Sequence, residues 1–111
     1  MTHFFHTDEL LREQAGQGKL YFEFLRVPAM SAGVYVLGAG ARDPQKPHRE
    51  DEMYYVVRGR ARMQIGSGET RDDGEVGAGS VIFVEAGQEH RFYDVAEELE
   101  VLVFFAPAER E

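Results

Sequence analysis

Seven short apolar runs separated by glycine-bearing turns restrict this chain to a β fold. The runs are Leu20–Val27, Ala32–Gly38, Met53–Val57, Ala61–Ile65, Ser80–Val84, His90–Asp94 and Leu99–Phe105, and Val, Tyr, Phe and Ile dominate them. Those residues suit a pleated surface, and runs this short are strands rather than core helices. Turn segments fall between them at Gly38–Gly40, Gly66–Gly68, Asp72–Gly74, Gly77–Gly79 and Ala86–Gly87. Seven such strands bury their apolar faces only in a sandwich or a small barrel. One segment departs from the pattern. Thr7–Gln14 predicts a short helix, with Thr7 or Asp8 as its cap and acids in its first turn. At 111 residues there is room for one domain. The expected division is an N-terminal segment over 1–19 and a β domain over 20–111.

Charge narrows the function. Twenty acidic residues against twelve basic ones give a formal net charge of −8. Nucleic-acid backbones and anionic membrane surfaces call for the opposite balance. The basic stretch Arg58–Arg62 reads as a solvated sheet edge. No apolar run approaches a membrane-spanning length, and the N-terminus has no signal-peptide pattern, so a cytoplasmic protein is expected. The absence of cysteine removes thiolate metal sites, iron–sulfur clusters and cysteine nucleophiles. The glycine-rich turns lack the helix and Lys of a phosphate loop.

Four histidines remain: His3, His6, His48 and His90. The first two lie near the terminus, where ordering is weakest. The other two have informative neighbours. Gly40 is followed after five residues by Lys46, then at set intervals by His48, Glu52 and Gly59. Gly79 is followed in the same way by Glu85, Gly87, His90 and Asp94. This pair of motifs, in order and correctly spaced, resembles the two motifs of the cupin superfamily. The resemblance spans Gly40–Asp94 and implies an antiparallel jelly-roll barrel, the double-stranded β-helix of a small single-domain cupin.

Three positions depart from the family pattern. Lys46 replaces the first motif histidine, Glu85 the proline and Asp94 the asparagine. The family's usual ligands are three histidines and a glutamate, so the resemblance implies a metal site of His48, Glu52 and His90. Two imidazoles and a carboxylate suit a divalent Fe, Mn, Zn, Ni or Cu ion and leave coordination positions open. His48 and Glu52 would lie about 13 Å apart on a straight strand. They can share one ion only if Arg49-Glu50-Asp51 bends the chain. The competing reading is a hydrogen-bonded turn and a vacant pocket.

The fold itself does not choose a function. Two classes remain: a metal-dependent enzyme, an oxygenase or isomerase, or a non-catalytic binding or sensing module. In both, a small-molecule ligand occupies the barrel mouth. Period-two alternation would put Lys46 on the face of His48. There it has three roles open to it: a catalytic base or weak ligand, a partner for an anionic substrate group, or an ion pair with Glu50 or Glu52. The second is the one expected. Leu20–Val27 is apolar on both faces and predicts a homodimer through that strand, unless Thr7–Gln14 folds back over it.

Overall fold

In the computed structural model, residues 2–110 are described. Helix α1 (Thr7–Gln17) precedes six strands: β1 (Tyr21–Val27), β2 (Met30–Leu37), β3 (Asp51–Ile65), β4 (Asp72–Gly77), β5 (Val81–Val84) and β6 (His90–Ala106). All pairings are antiparallel, in the order β1-β2-β6-β3-β4, with β5 pairing the first part of β3. The sheet curls into a jelly-roll barrel without closing its hydrogen-bond ladder.

The long β3–β6 ribbon explains the curl. At one end Glu52 pairs with Phe105, and at the other Ile65 pairs with His90. A straight ribbon would hold these ends about 40 Å apart at 3.3 Å per residue. Yet the Tyr54 and Phe92 rings, one near each end, are 5.2 Å apart between centroids. The ribbon has folded back on itself. Register shifts between Val56 and Arg62 make the bend, as bulges do. Gly59 sits at its middle with φ +101°, and a Cβ there would collide with the Glu98 carbonyl. Asp94 has φ +47°, a left-handed conformation that Asp and Asn tolerate better than other side chains.

Alternation along the first part of β3 turns Glu52, Tyr54 and Val56 inward and Asp51, Met53 and Tyr55 outward. Tyr54 and Val56 join Leu37, Phe92, Leu99 and Val101 in the core. Glu52 therefore heads an otherwise apolar inward row. It is 2% exposed.

Several boundaries differ from the sequence expectation. Met53–Val57 and Ala61–Ile65 form the single strand β3, and His90–Asp94 and Leu99–Phe105 form β6. Bulges let a strand pass through positions that read as breaks. Strand β4 lies in what reads as a turn, because the short chain Asp72-Asp-Gly-Glu has no apolar signal before Val76. The helix cap is His6 rather than Thr7 or Asp8, and its side chain makes no capping hydrogen bond.

Strand β1 is half-buried along most of its length. Helix α1 packs against it, and Phe5 meets Phe24 at 4.9 Å between ring centroids. The N-terminal segment thus supplies part of the cover that β1 needs. Phe4, Phe5 and Leu20 on this side remain exposed, and further exposed apolar side chains gather on the outer face of β3 and β5. There Met53 pairs with Phe83, and Tyr55 with Val81.

Candidate metal centre

Curling of the ribbon brings three donor side chains together. Glu52 comes from the start of β3 and His90 from the start of β6. His48 comes from the segment before β3, where a bend at Arg49-Glu50 replaces strand geometry. That bend is the one required for His48 and Glu52 to meet. Two hydrogen bonds fasten it to the β5–β6 turn: Gly87 N–H to the His48 carbonyl at 2.6 Å, and Ala86 N–H to Asp51 Oδ1 at 3.0 Å.

One ligand atom from each of His48, Glu52 and His90 lies within 4.8 Å of the other two. Glu52 Oε1 is 3.2 Å from His90 Nε2 and 4.0 Å from His48 Nε2. Both Nε2 atoms and both Glu52 oxygens are buried without hydrogen-bond partners. The far ring nitrogens are engaged. His90 Nδ1 is 3.0 Å from the Gln88 carbonyl, and His48 Nδ1 is 3.1 Å from Glu109 Oε2. An Nδ1–H held in this way leaves the Nε2 lone pair facing the cluster. Burial alone would lower the His90 pKa. The Glu52 carboxylate and Gln88 carbonyl, with charge from Asp43, outweigh it and raise the value.

A cavity of about 130 Å³ opens beside His48 and Glu52. Val103 and Phe105 form its apolar wall, and Tyr21, Tyr35, Gln45 and Glu109 add polar groups. Asp43, itself buried, organises that side. It accepts hydrogen bonds from Tyr35 Oη at 2.6 Å, from Gln45 Nε2 at 2.9 Å and from the Phe92 N–H at 2.9 Å. Gln45 Oε1 in turn accepts from Tyr54 Oη at 2.9 Å. Both amide ends of Gln45 are thereby fixed. Tyr21 differs from the other two tyrosines, because its buried hydroxyl has no partner. Its ring lies over Gly33, where a Cβ would overlap it. Burial, then the Glu109, Glu23 and Glu52 charges, push its pKa up, so the phenol keeps its proton.

Lys46 does not share the inward face with His48. The chain before β3 is not a strand, so alternation does not apply, and the Lys46 side chain is exposed. It borders a second depression of about 250 Å³ together with His90, Arg91 and Gln64. Glu50 pairs with Arg110, and Glu52 lies beside the two histidines, so neither takes the Lys46 ammonium. Arg42 and Arg91 line an adjoining hollow with Lys46. Among the described residues, these three cations have no carboxylate within ion-pair distance. The Arg58–Arg62 stretch behaves oppositely. Arg58, Arg60 and Arg62 meet Glu100, Glu97 and Asp73, as befits a solvated sheet face.

Tyr21, Tyr35, Asp43, Gln45 and Glu109 are not marked by the sequence. They lie outside the positions of the two motifs, and only the curled sheet gathers them.

The model of the cupin domain matches residues 33–105. An uncharacterized protein of Streptomyces coelicolor, SCO3923, is 47% identical over 95% of this chain and 96% of its own length. The solved structure of BH2720 from Bacillus halodurans superposes with a TM-score of 0.80 at 19% identity, over 99% of this chain and 85% of that one. Fe(II)-HppE, crystallised with the alternative substrate (S)-1-HPP, gives a TM-score of 0.63 at 20% identity, over 77% of this chain and 48% of HppE. The two structural likenesses establish the fold. No helix among the described residues is long and apolar enough to cross a membrane.

Proposed function

The chain belongs to the cupin family, and on that premise we propose that it holds one divalent transition-metal ion and binds a small anionic organic molecule over it. The ligands are His48, Glu52 and His90. One observation carries this reading: a donor atom from each of the three residues lies within 4.8 Å of the other two, and these buried atoms have no hydrogen-bond partner outside the cluster. A buried polar group without a hydrogen bond costs on the order of 1–3 kcal/mol, and a charged one more. A cation between the three side chains removes that cost. The 3.2 and 4.0 Å separations of Glu52 Oε1 from the two Nε2 atoms also suit it, since ligands about 2.1 Å from one ion lie at most about 4.2 Å apart.

A bound ion supplies Lewis acidity, and for iron or manganese redox chemistry, at coordination positions the protein leaves open. The chain's own groups do the rest. Tyr21 lines the cavity, and its buried, unpartnered Oη–H is a protonated donor for a ligand oxygen that reaches it. Val103 and Phe105 exclude water from one side. Arg42, Lys46 and Arg91, in the separate hollows on the His90 side, attract a carboxylate or similar anion against the net charge of −8. Lys46 therefore acts through its charge at the rim.

Two histidines and a carboxylate with open positions match the ligand pattern of non-haem iron oxygenases, which favours a metal-dependent oxygenase over a binding module. The deciding experiment pairs Fe(II)-loaded with chelator-treated protein in a panel of small hydroxy and keto acids, followed by oxygen consumption and mass spectrometry. Turnover that the chelator abolishes is expected. Ligand-linked stabilisation with no product in either form identifies a sensing module instead.

We also propose a homodimer; besides β1, which α1 covers in part, the exposed face formed by Met53, Tyr55, Val81 and Phe83 is a surface for it. These four side chains are adjacent, uncharged and solvent-facing, a surface that favours burial against a second copy. Light scattering at about twice 12.6 kDa, reduced to 12.6 kDa by Phe83→Glu, is the expected result.

A further inference from the structure

The segment after β6 returns over the site and is fastened there by several hydrogen bonds. Glu109 donates its N–H to the buried Ser31 Oγ at 2.8 Å, and its carbonyl accepts from Arg26 Nη2 at 2.8 Å. The next residue, Arg110, grips the segment that carries His48. Its N–H and Nε reach Glu50 Oε2 at 3.1 and 2.7 Å, and its Nη2 reaches the Arg49 carbonyl at 3.1 Å. Glu50 is itself buried, so this pairing holds the segment firmly. Between these anchors the Glu109 side chain is directed at His48, with Oε2 3.1 Å from Nδ1.

We propose that Glu109 is a positioning residue for His48, taking its Nδ1–H and thereby aiming the Nε2 lone pair at Glu52 and His90. The inference rests on the metal-site reading. A carboxylate behind a ligating imidazole fixes its tautomer and its ring orientation and makes it a better donor. The distinctive feature is where the carboxylate comes from. It is 61 residues from His48 in sequence, lies outside both motifs, and is delivered by a segment tied to β1, β2 and the His48 bend together.

The test measures Zn²⁺ affinity by competition with a chromophoric chelator, alongside the ¹⁵N spectrum of the metal-free imidazoles. Glu109→Ala should weaken Zn²⁺ binding by about 10- to 100-fold. Glu109→Gln, whose amide oxygen still accepts from Nδ1–H, should recover most of that loss. A role confined to holding the segment gives no such graded recovery. In the metal-free unsubstituted chain, His48 should be the Nδ1–H tautomer, and this preference should vanish in Glu109→Ala. An Ala variant that binds Zn²⁺ within about twofold of the unsubstituted chain overturns the inference, as does an Nε2–H tautomer for His48 in the unsubstituted chain. Failure of the unsubstituted chain to bind Zn²⁺ overturns the metal reading instead, and the tautomer then decides the Glu109 inference by itself. Should Glu109→Ala not fold, the affinity of Glu109→Gln and the tautomer of His48 in the unsubstituted chain decide it.

Discussion

His90 and His48 face the same carboxylate but are held there by different means. His90 opens β6, has a fully buried side chain, and is oriented by a carbonyl two residues away. Its placement follows from the ladder and the turn before it. His48 precedes β3, is 20% exposed at its side chain, and depends on a bend, two hydrogen bonds from another turn, and a distant carboxylate. One imidazole is fixed by local structure and the other by assembly of segments distant in sequence. A short motif can thus specify which side chains are present while leaving their aim to residues far outside it.

This difference orders the expected effects. Glu52 stands between both histidines, so Glu52→Ala should lose most, about 100-fold or more in metal affinity, as expected for a lost charged ligand. His90→Ala should follow and His48→Ala should cost at least about tenfold, because the partly exposed position of His48 lets a water substitute there. Isothermal titration of the three variants gives the ranking, and a larger loss at His48 than at His90 breaks the comparison.

Arg110→Ala sharpens it. The change leaves buried Glu50 unpaired and frees the segment behind His48. A destabilisation of about 1–2 kcal/mol is expected, modest because Arg110 is half exposed. Metal affinity should fall by several-fold, while the metal-free His90 ring keeps its chemical shifts. Chemical denaturation and NMR separate the two effects.

At the cluster, acidity acts through His90. Its pKa in the metal-free chain is raised above the usual 6.5 by Glu52, despite burial. A raised value means the proton stabilises the folded metal-free chain. That stability is fully present below about pH 6.5 and is lost as pH rises through the folded value. Metal displaces the same proton, so its affinity should change in the opposite direction and weaken as pH falls. Melting temperatures of metal-free and metal-loaded protein between about pH 5 and 8 should therefore diverge as pH rises. Parallel curves contradict the assignment.

The smallest effect belongs to Lys46. Exposed at the rim, it should alter metal affinity by less than about twofold when changed to Ala, and Lys46→His should not tighten binding. Either variant should weaken capture of an anionic ligand, most clearly at low salt.

Much of the fold is written locally. Apolar runs and turns mark five of the strands or their halves, and motif spacing identifies the barrel and the three side chains, His48, Glu52 and His90, that it brings together. Gly59 and Asp94 show why spacing is informative: the bend and the turn require backbone conformations that few residues adopt. Strand β4 was not legible, since it is polar and is held by its neighbour β3 rather than by its own pattern. The orientation of Lys46 was not legible either, because a periodicity argument fails outside a strand. Glu109 and Tyr21 carry no local signal of their role. Their proximity to His48 is created by segments 61 and 27 residues away in sequence, respectively, closing around one cavity.

The central claim is that His48, Glu52 and His90 hold a single transition-metal ion. Elemental analysis of protein purified without an affinity tag or added metal tests it most directly. The account predicts about one equivalent of one divalent transition metal per chain, falling to near zero in Glu52→Ala protein prepared identically. Metal-free native protein that also fails to take up Fe²⁺, Mn²⁺ or Zn²⁺ on addition would contradict it, as would equal metal content in the Glu52→Ala variant.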